Sequence, residues 1–410
     1  MRARWAATVA FLGWAVAWPS VALAQTPPPA PPAAASPAGG NGALEFGKKI
    51  FEAFQKPLHP TVKSVAPGGG FGAGIGYKTE RAAGEPWWFR SEAVITPRKY
   101  WNLEANWTYQ SDVLHGELYG RAREMTRLDF YGIGTSTSRD SRTTFRYSDR
   151  TAGGLASVRF PSFDVLAVGG RIEGLWPEIG PGRNEDYPSI EQRFTEATAP
   201  GLDAQPAFTA YTGFANVNYP GGNALGRYGV DVQLAYSQYQ DHQDGHYGFG
   251  RWNLESQQRI PAFRPSHLLT LHEWFSTTNT GAGHVVPFYL QHTLGGAGAV
   301  RPFNEEILGS DSTKATLRGF QDLRFRGPHL LLLQAEYRFK IKGPVDATVF
   351  ADGGSIGAVR SDLSLSEMKG NAGFSLSFMT IDATALRLDV GFGGGEGAHV
   401  FFSVGPIFQR

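Results

Sequence analysis

The stretch Asn102-Leu103-Glu104-Ala105-Asn106-Trp107-Thr108-Tyr109 alternates apolar and polar residues throughout. Successive side chains of an extended strand point to opposite faces, so Leu103, Ala105, Trp107 and Tyr109 share one face and Asn102, Glu104, Asn106 and Thr108 the other. Near the other end, Leu386, Leu388, Val390 and Phe392 alternate in the same way with Arg387, Asp389 and Gly391. One such run fits any half-buried strand. From Gly70 onward, however, the two-residue period recurs in segments of roughly ten residues, the length a tilted strand needs to cross a bilayer. Its repetition over most of the chain requires a barrel or a sandwich.

Composition narrows the choice. Met1 to Ala24 has the form of a signal peptide: Arg2 and Arg4, an apolar run through Trp14 and Val16, and small residues at Ala22 and Ala24 that place the cut before Gln25. No later apolar stretch is long enough for a membrane-spanning helix, which leaves a closed barrel as the route of an exported product into a membrane. A mean hydropathy of -0.26 suits a barrel, because lipid-facing residues alternate with polar residues facing the lumen. The chain has no cysteine, which excludes disulfides and thiolate metal sites. A formal charge of +1 gives no electrostatic case for nucleic acid.

Four segments are expected: a signal peptide over 1–24, a Pro/Ala-rich tether over 25–40, a periplasmic segment over 41–65 and a transmembrane barrel over 66–410. In the third, Phe46, Ile50, Phe51 and Phe54 share one side of a short amphipathic helix, Leu44 to Phe54. Strands are predicted near 70–79, 87–96, 100–110, 119–130, 140–148, 152–161, 164–174, 207–219, 228–239, 246–259, 267–276, 328–340, 344–352, 370–380, 383–393 and 398–408. The fold class is therefore all-β, a 16-stranded antiparallel transmembrane β-barrel with a short N-terminal helix. Short periplasmic turns, one of them at Arg98 after Pro97, alternate with long extracellular loops at Trp176 to Pro206 and Thr277 to Arg326. Aromatics toward strand ends, among them Trp87, Trp101, Tyr236 and Phe402, fit interfacial girdles.

The parity of two strands fixes what the lumen contains. Gln334, Glu336, Arg338 and Lys340 share one face, opposite Leu331, Leu333, Ala335, Tyr337 and Phe339, so the charged face is luminal. Asp346, Thr348, Phe350 and Asp352 point inward by the same rule. Between the predicted strands lies Leu317-Arg318-Gly319-Phe320, followed by Gly327 and Gln334-Ala335-Glu336-Tyr337-Arg338-Phe339. Leu294-Gly295-Gly296 precedes it, and Phe350-Ala351-Asp352-Gly353-Gly354 follows. Together with Phe130-Tyr131-Gly132-Ile133-Gly134 and Val404-Gly405-Pro406-Ile407-Phe408, these pieces resemble, in order, the motifs of the BamA/TamA superfamily, the bacterial surface antigen family.

That resemblance spans about residues 65 to 410. It implies a sixteen-stranded barrel whose sixth extracellular loop carries an Arg-Gly-aromatic motif and folds back into the lumen. It also pairs Arg318 with Asp352. An arginine tucked into the lumen needs a carboxylate, ideally in two-point fork geometry, and Glu336 is a second candidate on the inward face. Gly319 would permit a close backbone approach. Arg318, Gly319, Phe320, Asp352 and Glu336 form the expected loop-six lumen lock. Two departures from the family pattern stand out: no POTRA domain fits before the barrel, and Phe408 is followed by Gln409 and Arg410 instead of ending the chain.

Other constellations are weaker. His242 and His246 fall in a loop between predicted strands, where a polar loop explains them better than a metal. Gly393 to Ala398 has a dinucleotide-like glycine pattern without a βαβ unit and reads as a hairpin turn. Ser276, Ser375 and His292 give no ordered catalytic triad, so neither an enzyme nor a cofactor is expected. The expected setting is the bacterial outer membrane, with its lipid and other outer-membrane or periplasmic proteins as partners of a monomer. Three roles stay open: outer-membrane assembly or transport, a gated or passive pore for small solutes, and a structural surface antigen.

Overall fold

The computed structural model describes residues 56–404, apart from 80–83, 161–162, 220–228, 244, 265, 297–315 and 380–383. The expected signal peptide, tether and helix at 44–54 lie outside these residues, as does Gly405 to Arg410. The strands are β1 (Leu58–Ser64), β2 (Phe71–Lys78), β3 (Trp87–Ile95), β4 (Trp101–Gln110), β5 (Leu114–Phe130), β6 (Thr143–Phe160), β7 (Phe163–Pro181), β8 (Phe208–Tyr219) and β9 (Gly229–Asp241). They continue with β10 (Phe249–Pro261), β11 (His267–Thr280), β12 (His292–Leu294), β13 (Phe325–Gly327), β14 (His329–Lys342), β15 (Val345–Gly357), β16 (Lys369–Met379), β17 (Thr384–Gly393) and β18 (Ala398–Val404). Sixteen of them form one sheet in chain order, each antiparallel to the next, while β12 and β13 pair separately between β11 and β14. The sheet rolls into a transmembrane barrel. Near the two edges of the sheet, the Phe71 ring of β2 and the Phe402 ring of β18 stand edge to face, 5.4 Å apart.

The count of sixteen agrees with the sequence reading, but two of its parts differ. The first strand lies at Leu58–Ser64, ahead of the boundary expected at residue 66, and the strands expected at 140–148 and 152–161 are one strand, β6. The extra strand reverses the direction of those after it as far as β5. The turn at Arg98 therefore opens on the same end as the long connections over 182–207 and 281–328, not on the short-turn end.

Burial follows the alternation. Leu103, Trp107, Leu118, Ile172, Trp252, Val349 and Phe374 are exposed on the outer wall, whereas Glu92, Arg121, Asp149, Glu173, Gln233, Glu255 and Asp389 are buried inside. Inner charges pair with one another, Arg123 of β5 with Asp149 of β6 at 2.7 Å and Arg171 with Glu173 along β7 at 2.9 Å. At the long-loop end the connections turn inward and carry an apolar cap. Phe288, Tyr289 and Leu290 pack there with Phe130, Phe145, Tyr147, Ile190, Phe208 and Phe249. Phe288 meets Phe130 and Phe145 edge to face at 5.2 and 5.0 Å.

Strand length varies systematically around the wall. From one edge it runs 7, 8, 9 and 10 residues over β1 to β4 and reaches 17, 18 and 19 over β5 to β7. The inner face of β2 carries three glycines in a row, Gly72, Gly74 and Gly76. Lys63 of β1 reaches across it to Glu92 and Glu104, the latter at 2.6 Å. A Cβ on Gly74 would run into the backbone of Ala93, whereas one on Gly213 of β8 would meet nothing. Gly74→Ala should therefore cost about 1–3 kcal/mol, in the range of overpacked cores, and Gly213→Ala should be nearly neutral; urea unfolding of the refolded barrel measures both.

Candidate functional site

The connection between β11 and β14 enters the lumen, and its conformation is set by three arginines at positions 318, 324 and 326. Arg318 is fully buried. Its Nε donates to Asp352 Oδ2 at 2.9 Å and its Nη2 to Asp352 Oδ1 at 2.5 Å, a two-point fork, while its backbone N–H donates to the same carboxylate at 3.3 Å. Nη1 donates to Glu336. The guanidinium also lies 3.5 Å from the centre of the Phe350 ring. Burial by itself would lower the pKa of Arg318, but Glu336 and Asp352 overcome this and raise it above its usual value. The arginine is a fixed cation.

Each member of this cluster sits where strand parity puts it. Glu336 comes from β14, Asp352 and Phe350 from β15, all on inward positions. Asp352 also accepts from Gln334 Nε2 at 3.1 Å and from Asn371 Nδ2 of β16 at 2.9 Å. A second arginine that the sequence reading did not single out completes the group. Arg387 of β17 donates to Glu336 Oε1 at 2.7 Å and through Nε to Asp389 Oδ1 at 2.9 Å, and Ser375 donates to Asp389 at 2.5 Å. Two guanidinium groups and three carboxylates thus share one buried network drawn from four consecutive strands and one loop. Removing one member of such a network is far costlier than never having had it, because the partners remain charged and buried.

Gly319 and Phe320 act through contact. A Cβ on Gly319 would press on the Asn371 side chain and on the backbone joining Phe392 to Gly393, and one on Gly391 would press on the Arg318 carbonyl. Loop and barrel backbones meet here with no space for side chains between them. Phe320 is buried beside Phe325, with ring centres 5.3 Å apart, in an apolar cluster with Trp274, Leu294, Leu317, Leu332 and Ile356.

Further along the loop, Arg324 donates to Glu396 Oε1 at 2.7 Å and to the Thr137 carbonyl at 2.7 Å, and lies over the Tyr131 ring. Glu396 belongs to the glycine-rich segment 393–398, which is indeed a hairpin turn, with Gly394, Gly395 and Gly397 at positive φ. The Phe130–Gly134 motif receives the loop as well: Gly134 N–H donates to the Arg326 carbonyl at 2.7 Å, and Tyr131 Oη donates to Gln321 at 2.8 Å. Arg326 sits among the Phe130, Phe145 and Phe288 rings, at 5.8, 5.6 and 5.8 Å, and burial pulls its pKa down to about 10.

The remaining sequence candidates are placed as follows. His242 Nε2 is 2.7 Å from Thr209 Oγ1, whereas the His246 ring packs edge to face on Tyr247, 4.9 Å away. Ser276 and His292, which the sequence left unconnected, are neighbours: His292 Nε2 is 2.6 Å from Ser276 Oγ. Both are buried, and the His292 ring lies against Trp274 at 4.9 Å. The pair pegs the loop to the wall of β11.

Arg318→Ala should lower unfolding stability by about 3–5 kcal/mol, the range for an orphaned buried charge pair. Arg318→Lys should recover only part of it, because a lysine cannot make the fork. Urea titration followed by tryptophan emission, to which Trp274 contributes next to the loop, measures both.

No family model and no curated protein sequence matches the chain. Solved structures do. BamA from Haemophilus ducreyi lacking POTRA domains 1–3 superposes with a TM-score of 0.53 at 14% identity, over 89% of this chain and 78% of that one. CdiB from Acinetobacter baumannii gives 0.53 at 11% identity over 85% of this chain, and CdiB from Escherichia coli gives 0.59 at 12% over 85%. The chain spans 58% and 62% of those two CdiB chains. At such low identity the likeness speaks for architecture, and what it establishes is that this chain has the fold of the BamA and CdiB barrels.

Proposed function

We propose that the protein is a bacterial outer-membrane barrel that assists the insertion or passage of other polypeptides at the seam between β1 and β18. The observation that carries this reading is the taper of the wall. Seven residues at about 3.4 Å rise and 40° tilt span about 18 Å, less than the roughly 25 Å apolar band of such barrels. The edge strand β1 has that length, so the bilayer thins beside it at the seam, and a thinned bilayer is easier to enter. Because the lumen network draws on β14 to β17, it keeps the wall on the β18 side rigid up to the edge. Partners on this reading are outer-membrane lipid and the polypeptides handled at the seam.

The reading as a passive pore is opposed by the apolar cap over the long-loop mouth. A catalytic reading finds one nucleophile and base together, Ser276 and His292, but both are enclosed between the loop and the wall, where a substrate has no approach. We read the pair as structural.

Two experiments separate these roles. Since the native chain has no cysteine, Phe71→Cys and Phe402→Cys can be bridged by a short thiol cross-linker. In vesicles, the uncross-linked protein should speed the insertion of an unfolded outer-membrane barrel several-fold, and the bridged form should not; equal rates would overturn the seam reading. Single-channel recording should show small conductance for the full chain and a large, stable one once 295–326 are deleted. A large conductance that ignores the deletion would favour the pore.

A further inference from the structure

The outer wall carries one polar feature that neither the lumen lock nor the seam explains. Glu273 of β11 stands on the lipid-facing side, in register with Ser256 of β10 and Leu333 of β14. Its outward neighbours along the strand are Leu269, Leu271 and Phe275. Two aromatic levels bracket it. Trp252, beside Tyr236 at 4.7 Å, pairs with Thr277, and Tyr337, beside His267 at 5.6 Å, pairs with Leu269. Glu273 is four residues from each level, about 13 Å along the strand. It lies midway through the apolar belt, where a charge is costly and marks a functional site.

The hydrogen bonding at the patch is one-sided. Ser256 Oγ donates to Glu273 Oε2 at 2.7 Å and Gln258 Nε2 to the same oxygen at 2.9 Å; Gln258 Nε2 also donates to Ser256 Oγ at 2.5 Å. The local donors are therefore directed to one another and to one carboxylate oxygen. Among the described residues, Glu273 Oε1 has no partner, and no cation lies within ion-pair distance of it. What the patch offers to the membrane is an unoccupied carboxyl oxygen that can accept a hydrogen bond.

We propose that this patch docks a membrane-embedded segment of another protein that presents an arginine or lysine at mid-depth. Charge and depth select that occupant. Lipid amines belong to the headgroup layer, well away from the level of Glu273. A second copy offers no suitable cation, because the outward cations of the described strands stand at strand ends. Arg127, Arg146 and Arg150 lie at or beyond the level of Trp176, which pairs with Arg150, and Lys342 ends β14. The patch is on the tenth and eleventh strands of sixteen, remote from the edges, so a partner held there leaves the seam clear. The inference therefore does not depend on the seam reading.

The test uses the full chain in lipid nanodiscs and two synthetic transmembrane helices, identical except for a central arginine or leucine, with association followed by energy transfer. The arginine helix should bind at least tenfold tighter than the leucine helix, and Glu273→Gln should reduce it to the level of the leucine helix. Glu273→Leu should abolish the difference between helices while resisting urea at least as well as the parent, since it removes a costly group from the lipid face. Equal binding of the two helices, or binding unchanged in Glu273→Gln, overturns the proposal. So does Glu273-dependent self-association without peptide in sedimentation equilibrium, which would make a second copy the occupant. Competition by ethanolamine lipid would assign the patch to a headgroup and overturn it as well.

Discussion

A guanidinium sealed from water inside a barrel is the constraint on which most of this structure turns. Arg318 must be matched by carboxylates, and those carboxylates must stand on inward positions of strands close enough to converge on one loop residue. β14, β15 and β17 supply them. Once they are buried as well, Arg387 is needed to balance Glu336 and Asp389, and Gln334, Asn371 and Ser375 are needed to occupy the remaining lone pairs. Gly319 and Gly391 follow from the same demand, since the fork reaches Asp352 only if the loop backbone lies directly against the barrel backbone. One charge thus dictates residue choice on four strands.

The sequence showed the architecture because membrane strands repeat a simple rule: outward residues meet hydrocarbon. Where that rule lapses, a strand is hard to see in the sequence. β1 contains Pro60 and only short outward residues besides Leu58 and Val62, so its alternation is faint, although proline is tolerated on an edge strand. β6 was split because Ser148-Asp149-Arg150-Thr151 is polar on both faces. There the strand has reached the Trp176 level and its outer face no longer meets lipid alone. Two errors of opposite sign left the count of sixteen intact, and the missing first strand turned the Arg98 loop to the wrong end.

The lock was legible in part. Arg318, Asp352 and Glu336 could be named from a motif and from parity, because each carries a charge on a face that must be wet or paired. Arg387 and Asp389 lay on an equally plain inward face, two residues apart, and that spacing was the available signal. The Ser276–His292 contact had no local signal at all, since it joins a strand to a loop whose path depends on the whole fold. Glu273 was a visible break in an apolar face, but it stands out only once the wall on either side of it is known.

The position of the lock in the chain has a consequence for the order of assembly. Every carboxylate that neutralises Arg318 is encoded after it, as is the glycine turn whose Glu396 holds Arg324. The loop therefore cannot be fixed while only the N-terminal two thirds of the chain has folded. Threading it through a finished wall would drag a naked cation past the apolar cap. The simplest course is that the final strands wrap around a loop already lying in the open trough, so that closure and locking are a single late event.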